Sequence, residues 1–169
     1  NPYEKVDIRA LLDSILERIK FDIQDKHVDL KIHDPLPGIV CDRIKIGEVF
    51  LNLINNAIKF SSKNNPSGPR VEVGGREEAD VYHFFVKDNG IGIDPKYHDQ
   101  IFGIFKRLHT VEEYEGSGAG LSIVKKVIDD HGGKIWIESQ VGQGAVFNFT
   151  IPKGLVPAAA SSLPGEEKA

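Results

Sequence analysis

The chain has 169 residues, 40% of them hydrophobic and 27% charged, with a formal net charge of -4. That length makes one domain with its own buried core, and the mildly acidic balance carries no footprint of a nucleic-acid binder. The single cysteine, Cys41, excludes a disulfide scaffold and any cysteine-built zinc or iron–sulfur centre. No apolar run reaches the roughly 18 residues needed to span a membrane, and nothing at the N-terminus reads as a signal peptide. With no methionine anywhere, the chain is expected to be a piece of a longer protein.

From Val6 to Lys26, apolar residues recur at 8, 11, 12, 15, 19 and 23, spacings of three and four that predict an amphipathic helix. Val28 to Ile32 alternates and predicts a strand, and a second short strand, Gly38 to Cys41, follows Pro35 and Pro37. Asp42 is placed to cap a helix over roughly 43–61, ahead of the polar stretch Ser61 to Gly68. Two strands, 70–75 and 80–87, joined by a polar turn, form a predicted hairpin. A glycine-rich loop follows Asp88, then a short helix around Tyr97 to Ile101 and a polar loop over 106–119. The next helix runs from about Gly120 to His131 and stops at Gly132-Gly133. Strands 134–139 and 145–151 close on Pro152, and 155–169, rich in Ala, Ser and Pro, reads as a disordered tail or linker. The expected fold class is α+β. Residues 1–154 form one two-layer sandwich, a mixed and mostly antiparallel sheet with about three helices on one face.

Three segments could carry chemistry. Asn52, Asn56 and Lys59 stand at i, i+4 and i+7, an arc of roughly 60° beside the apolar face of Ile46, Val49, Phe50, Leu53 and Ala57. An asparagine carbonyl there suits a hard cation such as Mg²⁺ and the lysine suits a phosphate, although such a stripe is more often the solvated flank of a helix. Asp88-Asn89-Gly90-Ile91-Gly92-Ile93 follows a strand. Its glycines permit a sharp turn and close backbone approach, and its carboxylate, an acceptor only, suits an exocyclic amine such as that of adenine. An ordinary turn reads the same, while a calcium loop lacks its later ligands and closing glutamate.

Gly116-Ser117-Gly118-Ala119-Gly120-Leu121 runs into a helix. It offers free N–H groups and the positive dipole end to an anion, or else is a plain hinge; it is neither a Walker A loop nor the dinucleotide fingerprint. The six histidines show no metal-ligand spacing, and Cys41 reads as a buried cysteine.

In chain order, Asn52-x-x-x-Asn56-Ala57-x-Lys59-Phe60-Ser61, Asp88-x-Gly90-x-Gly92-Ile93, Ile101-Phe102-x-x-Phe105 and Gly116-x-Gly118-x-Gly120-Leu121 resemble the N, G1, F and G2 boxes of sensor histidine kinases. Gly132-Gly133-x-Ile135-Trp136-Ile137-Glu138-Ser139 and Gly142-x-Gly144-x-x-Phe147 look like the closing strands of that family. The resemblance covers about residues 6 to 152. It implies the Bergerat-type ATP-binding fold shared with gyrase, mismatch-repair and heat-shock chaperone ATPases, with ATP and Mg²⁺ as ligands.

By position, the resemblance implies that Asp88 takes the adenine amino group, with Gly90, Gly92 and Ile93 completing the base site. Asn56 would hold Mg²⁺ with Asn52 beside it, and Lys59 and Phe60 would face the phosphates and the base–ribose region. Phe102 and Phe105 would anchor a lid, Lys106 or Arg107 would reach the γ-phosphate, and Gly116, Ser117, Gly118, Ala119, Gly120 and Leu121 would close over the phosphates. Asn52, Lys59 and Arg107 form the implied catalytic set.

Hydrolysing relatives carry a glutamate where Asn52 stands, and an amide cannot serve as a base. The resemblance therefore implies transfer of the γ-phosphoryl group to a histidine on a separate dimerisation and phosphoacceptor domain, and onward to a response regulator. The alternatives are a hydrolysing ATPase of the same superfamily and a nucleotide-sensing module that transfers nothing. No His-Glu-x-x-Thr-Pro phosphoacceptor box is present. Ala119 replaces the usual bulkier aliphatic residue. Arg107-Leu108-His109-x-x-x-Glu113-Tyr114-x-Gly116 looks like the lid of phytochrome-type kinases. The isolated domain is expected to be cytoplasmic and monomeric, touching neither nucleic acid nor membrane.

Overall fold

The computed structural model describes residues 2–103 and 117–157, with the backbone alone described at 117–119. Most of the segment expected as a tail, from residue 158 onward, therefore lies outside the described residues. Among the described residues, seven strands and four α-helices follow in order. They are β1 (Tyr3–Val6), α1 (Ile8–Arg18), α2 (Lys20–Asp25), β2 (Asp29–Ile32), β3 (Ile39–Asp42), α3 (Arg43–Ser61), β4 (Arg70–Glu77), β5 (Val81–Asp88), α4 (Ser117–Asp130), β6 (Ile135–Ser139) and β7 (Ala145–Pro152). Two single 3-10 turns, Pro95–Tyr97 and Gln100–Phe102, stand where one short helix is predicted.

Five strands form the main sheet in the order β2-β4-β5-β7-β6. Only the β2–β4 pair is parallel, so the sheet is mixed and mostly antiparallel as expected. One face packs on α3 through an aromatic cluster. The Phe50 ring meets Phe84 at 5.6 Å and Phe149 at 5.3 Å, both edge-on, and Phe84 and Phe149 stack at 5.4 Å. Val71, Val73, Val86, Phe147 and Ile151 complete that face, and Ile46, Val49, Leu53 and Ile54 of α3 are buried against it. Phe50 is fully buried, so Phe50→Ala is expected to destabilise the domain by about 3–5 kcal/mol, read from the urea midpoint at unchanged slope.

Helix ends follow their local chemistry. The Asp7 carboxylate accepts from the Ala10 N–H at 3.1 Å to start α1, and Asp42 accepts from the Lys45 N–H at 3.1 Å to start α3. Gly132, at φ +81°, ends α4 in a Schellman motif: its N–H reaches the Asp129 carbonyl at 2.9 Å, and the Gly133 N–H reaches Ile128 at 3.0 Å. Burial pushes the Cys41 thiol up to about 12, as suits an inert core residue.

Three features differ from the sequence expectation. The predicted helix within 6–26 breaks at Ile19, whose N–H is shared between the Ile15 and Leu16 carbonyls at 3.3 Å each. The apolar spacing of Ile15, Ile19 and Ile23 runs straight through the break and hides it. β1 is unpredicted, because only Val6 of its four residues is buried, and it pairs antiparallel with β3 as a separate two-stranded ribbon rather than joining the main sheet. α4 begins at Ser117, three residues before the expected start. Among the described residues, no helix is long and apolar enough to cross a membrane.

Candidate functional site

Helix α3 brings Asn52, Asn56, Lys59 and Phe60 to one end of the sheet. Asn56 and Phe60 are buried, and Lys59 and Asn52 are half-buried. The Asn52 amide donates to the Glu48 carbonyl at 2.9 Å. Its Oδ1 faces α4, where a Cβ added to Gly120 would stand 2.8 Å from it. Glycine thus lets the first turn of α4 close onto α3. Leu121, next in line, is buried.

Asp88 ends β5 in register with Ala145 of β7, which is itself opposite Ser139 of β6. It is 4% exposed and accepts from the Gly90 N–H at 2.8 Å and from the Ala145 N–H. Burial pushes its carboxyl up to about 7, against the pull of those two backbone donors. Neither donor carries a charge. A carboxylate offers about four acceptor positions, so two remain beyond these donors.

The loop after Asp88 is held from both sides. A Cβ on Gly90 would stand 2.4 Å from the Phe60 carbonyl oxygen, so the loop backbone lies directly on α3. Gly92, at φ +73°, approaches the β6–β7 turn so closely that a Cβ would fall 1.9 Å from the Gln140 oxygen. The Ser139 hydroxyl accepts from the Ile93 N–H and donates to the Gly144 carbonyl, both at 2.7 Å, and the Gly142 N–H reaches the Ile91 carbonyl at 2.6 Å. Ile93 is buried, and Phe102 meets Phe147 edge-on at 6.1 Å.

The structure therefore gathers Asn52, Asn56, Lys59, Phe60, Asp88, Gly90, Gly92, Ile93, Gly120 and Leu121 around one end of the sheet. Phe105, Lys106, Arg107 and Gly116 lie outside the described residues, as do the side chains of Ser117 and Ala119. Ser139 and Asn89 were not singled out by sequence as supports of the site. Ser139 stands inside a quoted strand motif, but its bond to Ile93 spans 46 residues and leaves no local signal.

A recess of about 220 Å³ beside Asp88 is lined by Ser139, Gln140, Gln143 and Gly144. A larger hollow of about 600 Å³, lined among others by Tyr3, Lys45, Ile123 and His131, shares no residue with this constellation. Its floor offers little chemistry, because both His131 ring nitrogens are engaged, with the Asp42 N–H at 3.1 Å and the Val127 carbonyl at 2.9 Å. The buried Asp88 carboxyl and Asn56 amide, rather than cavity size, mark the candidate site. No three His, Cys, Asp or Glu side chains group as metal ligands among the described residues.

Residues 41–155 match the family described as histidine kinase-, DNA gyrase B-, and HSP90-like ATPase. Cyanobacterial phytochrome A of Nostoc sp. is 44% identical over 162 residues, which is 90% of this chain and 21% of that protein. The chain thus spans about a fifth of the length of the phytochrome relatives it matches. Among solved structures, the catalytic domain of histidine kinase ThkA in a nucleotide-free form superposes with a TM-score of 0.75 at 27% identity, covering 89% of this chain and 97% of that one. ThkA in complex with the response regulator protein TrrA matches at 0.74 and 26%, covering 90% and 42%. Full-length ShkA in complex with AMPPNP matches at 0.76 and 28%, covering 92% and 32%. A match over more than half the chain, joined to this superposition and to the Asn56, Asp88 and Gly120 constellation, places the chain in the histidine kinase-, gyrase- and HSP90-like ATPase family, with the fold of histidine kinase catalytic domains.

Proposed function

We propose that this domain binds Mg-ATP and donates its γ-phosphoryl group to a histidine on a separate dimerisation and phosphoacceptor helical domain, in cytoplasmic two-component signalling. The carrying observation is the buried Asp88 carboxyl, which has two spare acceptor positions and backbone-only partners at the end of β5. Such a group is costly unless a ligand donor completes it, and the amine of adenine is a donor of that kind. The AMPPNP complex of the similar ShkA supports the nucleotide, and the ThkA–TrrA complex supports a response regulator as the onward partner.

Each residue then has a task. Asp88 accepts from the adenine amine, while Gly90, Gly92 and Ile93 shape the base site. Asn56, a buried amide with a hard oxygen donor, fits Mg²⁺, which keeps several waters and needs no closed protein cage. When bound, the ion supplies neutralisation of phosphate charge. Lys59 adds a positive charge one turn on, and the backbone N–H groups at the start of α4 face the same end. Phe102, Phe105, Lys106, Arg107 and the residues 116–121 are proposed as the covering segment. The reaction moves a phosphoryl group from the β–γ bridging oxygen of ATP to a histidine ring nitrogen, leaving ADP, and rests on positioning and electrostatics.

Asn52 favours transfer over hydrolysis. Its amide nitrogen is committed to Glu48, its oxygen abuts Gly120, and neither atom takes up a proton near neutral pH. Calorimetry with ADP and with a non-hydrolysable ATP analogue, with and without Mg²⁺, is expected to show one-to-one binding. Incubation with γ-labelled ATP and an added phosphoacceptor domain is expected to label that domain, with slow phosphate release in its absence. Brisk Mg²⁺-dependent release would establish the hydrolysing alternative, and binding without labelling would establish the sensing module.

A further inference from the structure

A polar clasp joins the adenine-side loop to the phosphate-side helix, and the ligand roles above leave it without a task. At one end, the Asn89 Oδ1 accepts from the Arg70 N–H at 2.8 Å and from Asn65 Nδ2 at 3.1 Å, while its Nδ2 donates to the Gly68 carbonyl at 2.9 Å. At the other end, Asn65 Nδ2 donates to the carbonyl of Ser61, the last residue of α3, at 2.9 Å, and to the Asn89 carbonyl at 3.2 Å. The Asn65 Oδ1 accepts from the Ser67 N–H at 3.2 Å. Both amides are thus spent within the protein, and the bonds of Asn65 Nδ2 link the end of α3 to the residue after Asp88. Directly beside them, the close approach of Gly90 to the Phe60 carbonyl brings the two backbones into contact.

ATP engages the two sides of this clasp together. Its base reaches the loop at Asp88, and its phosphates reach α3 at Asn56 and Lys59. A ligand held at two points gains from the second contact only if both sites stand at the separation it spans, and a displacement of about 1 Å is enough to forfeit much of that gain. We propose that the Asn65–Asn89 clasp is a positioning device that sets the distance between the base site and the phosphate site, so that the two halves of the nucleotide bind as one. This inference rests on the nucleotide reading above.

The test compares a ligand that touches one side with a ligand that touches both. Adenosine and Mg-ADP are titrated into the wild-type chain, Asn89→Ala and Asn65→Ala, well below each melting temperature, following the Gly90 and Gly92 amide signals by NMR. The clasp predicts a rise of about tenfold in the Mg-ADP Kd for each variant, an adenosine Kd within about twofold of wild type, and a double variant no worse than either single one. Asn65, in the loop after α3, carries the test if Asn89→Ala does not fold. An equal loss for both ligands would reduce the clasp to a general support and overturn the proposal, as would an unchanged Mg-ADP affinity. A wild-type chain that binds neither ligand would instead overturn the nucleotide reading, and the clasp with it.

Discussion

Asp88→Asn is expected to weaken Mg-ADP binding by at least tenfold and, at pH 8, to make the nucleotide-free domain more stable. The affinity loss follows from replacing a charged acceptor by a neutral one with a single acceptor oxygen, since hydrogen bonds to charged groups contribute about 1.5–3 kcal/mol. The stability gain follows from the direction in which burial moves the carboxyl. Its folded value of about 7 lies above the ordinary 3.8, so the charged form is the one disfavoured by folding. Above pH 7 the wild type therefore carries the full penalty, on the order of 4 kcal/mol. The penalty is relieved as pH falls from about 7 towards 4, where the carboxyl is neutral in both states.

Asparagine removes that penalty but gives up one of the two backbone donors, a loss of roughly 1 kcal/mol, so the net gain at pH 8 is about 3 kcal/mol. It should shrink to nothing or reverse near pH 4. Melting curves of the two proteins between pH 4.5 and 8.5 check the sign, and a wild type that stays the more stable across the range would show that Asp88 is not under strain. The same protonation makes binding pH-dependent: the wild-type affinity for adenosine, which carries no titrating phosphate, is expected to fall as pH drops below about 7, and the Asp88→Asn affinity is not.

The second large effect is expected from Gly92→Ala. Two penalties coincide there. The left-handed backbone at φ +73° costs an L-residue about 1–2 kcal/mol, and the new Cβ would overlap a backbone oxygen, that of Gln140, at 1.9 Å. The oxygen belongs to the turn that Gly142 and Ser139 fasten to the loop, so relief means breaking those bonds. Gly142→Ala is the control, because it has the same sign of φ (+81°) and nothing within 4 Å of the added atom. Gly142→Ala should lower Tm by a few degrees and leave Mg-ADP affinity within about twofold. Gly92→Ala should lower Tm further, at about 2–4 °C per kcal/mol, and weaken binding by more than tenfold. Equal behaviour of the two variants would mean that the contact with Gln140 does not shape the base site.

These expectations draw on different layers of the protein. The cap at Asp42, the glycine stop after α4, the two hairpins and the order of the Asn, Asp-Gly and Gly-rich segments are written within a few residues of chain. They are legible because hydrogen bonds to i+3 or i+4 and the strand period of two act over that range. The chemistry of the candidate site is not legible from helical spacing alone, since an Asn–Asn–Lys stripe is as readily a solvated flank; it is the resemblance of the ordered segments to a known family that implies the roles.

The break at Ile19 is hidden because helix α2 keeps the apolar spacing of α1. β1 is hidden because its partner strand is far away in the chain, with Tyr3 opposite Asp42 and Val6 opposite Ile39. The value near 7 for Asp88 is a property of its burial, not of its neighbours in sequence. The two supports of the glycine loop, Ser139 and the Asn65–Asn89 clasp, join segments that meet only once the sheet has formed. Residue types and local periodicity thus determine which elements exist and which groups could meet a nucleotide. Their burial, their separation and the fit of Gly90, Gly92 and Gly120 against opposing atoms are decided by long-range packing, where contact depends on strand register and helix placement rather than on spacing along the chain.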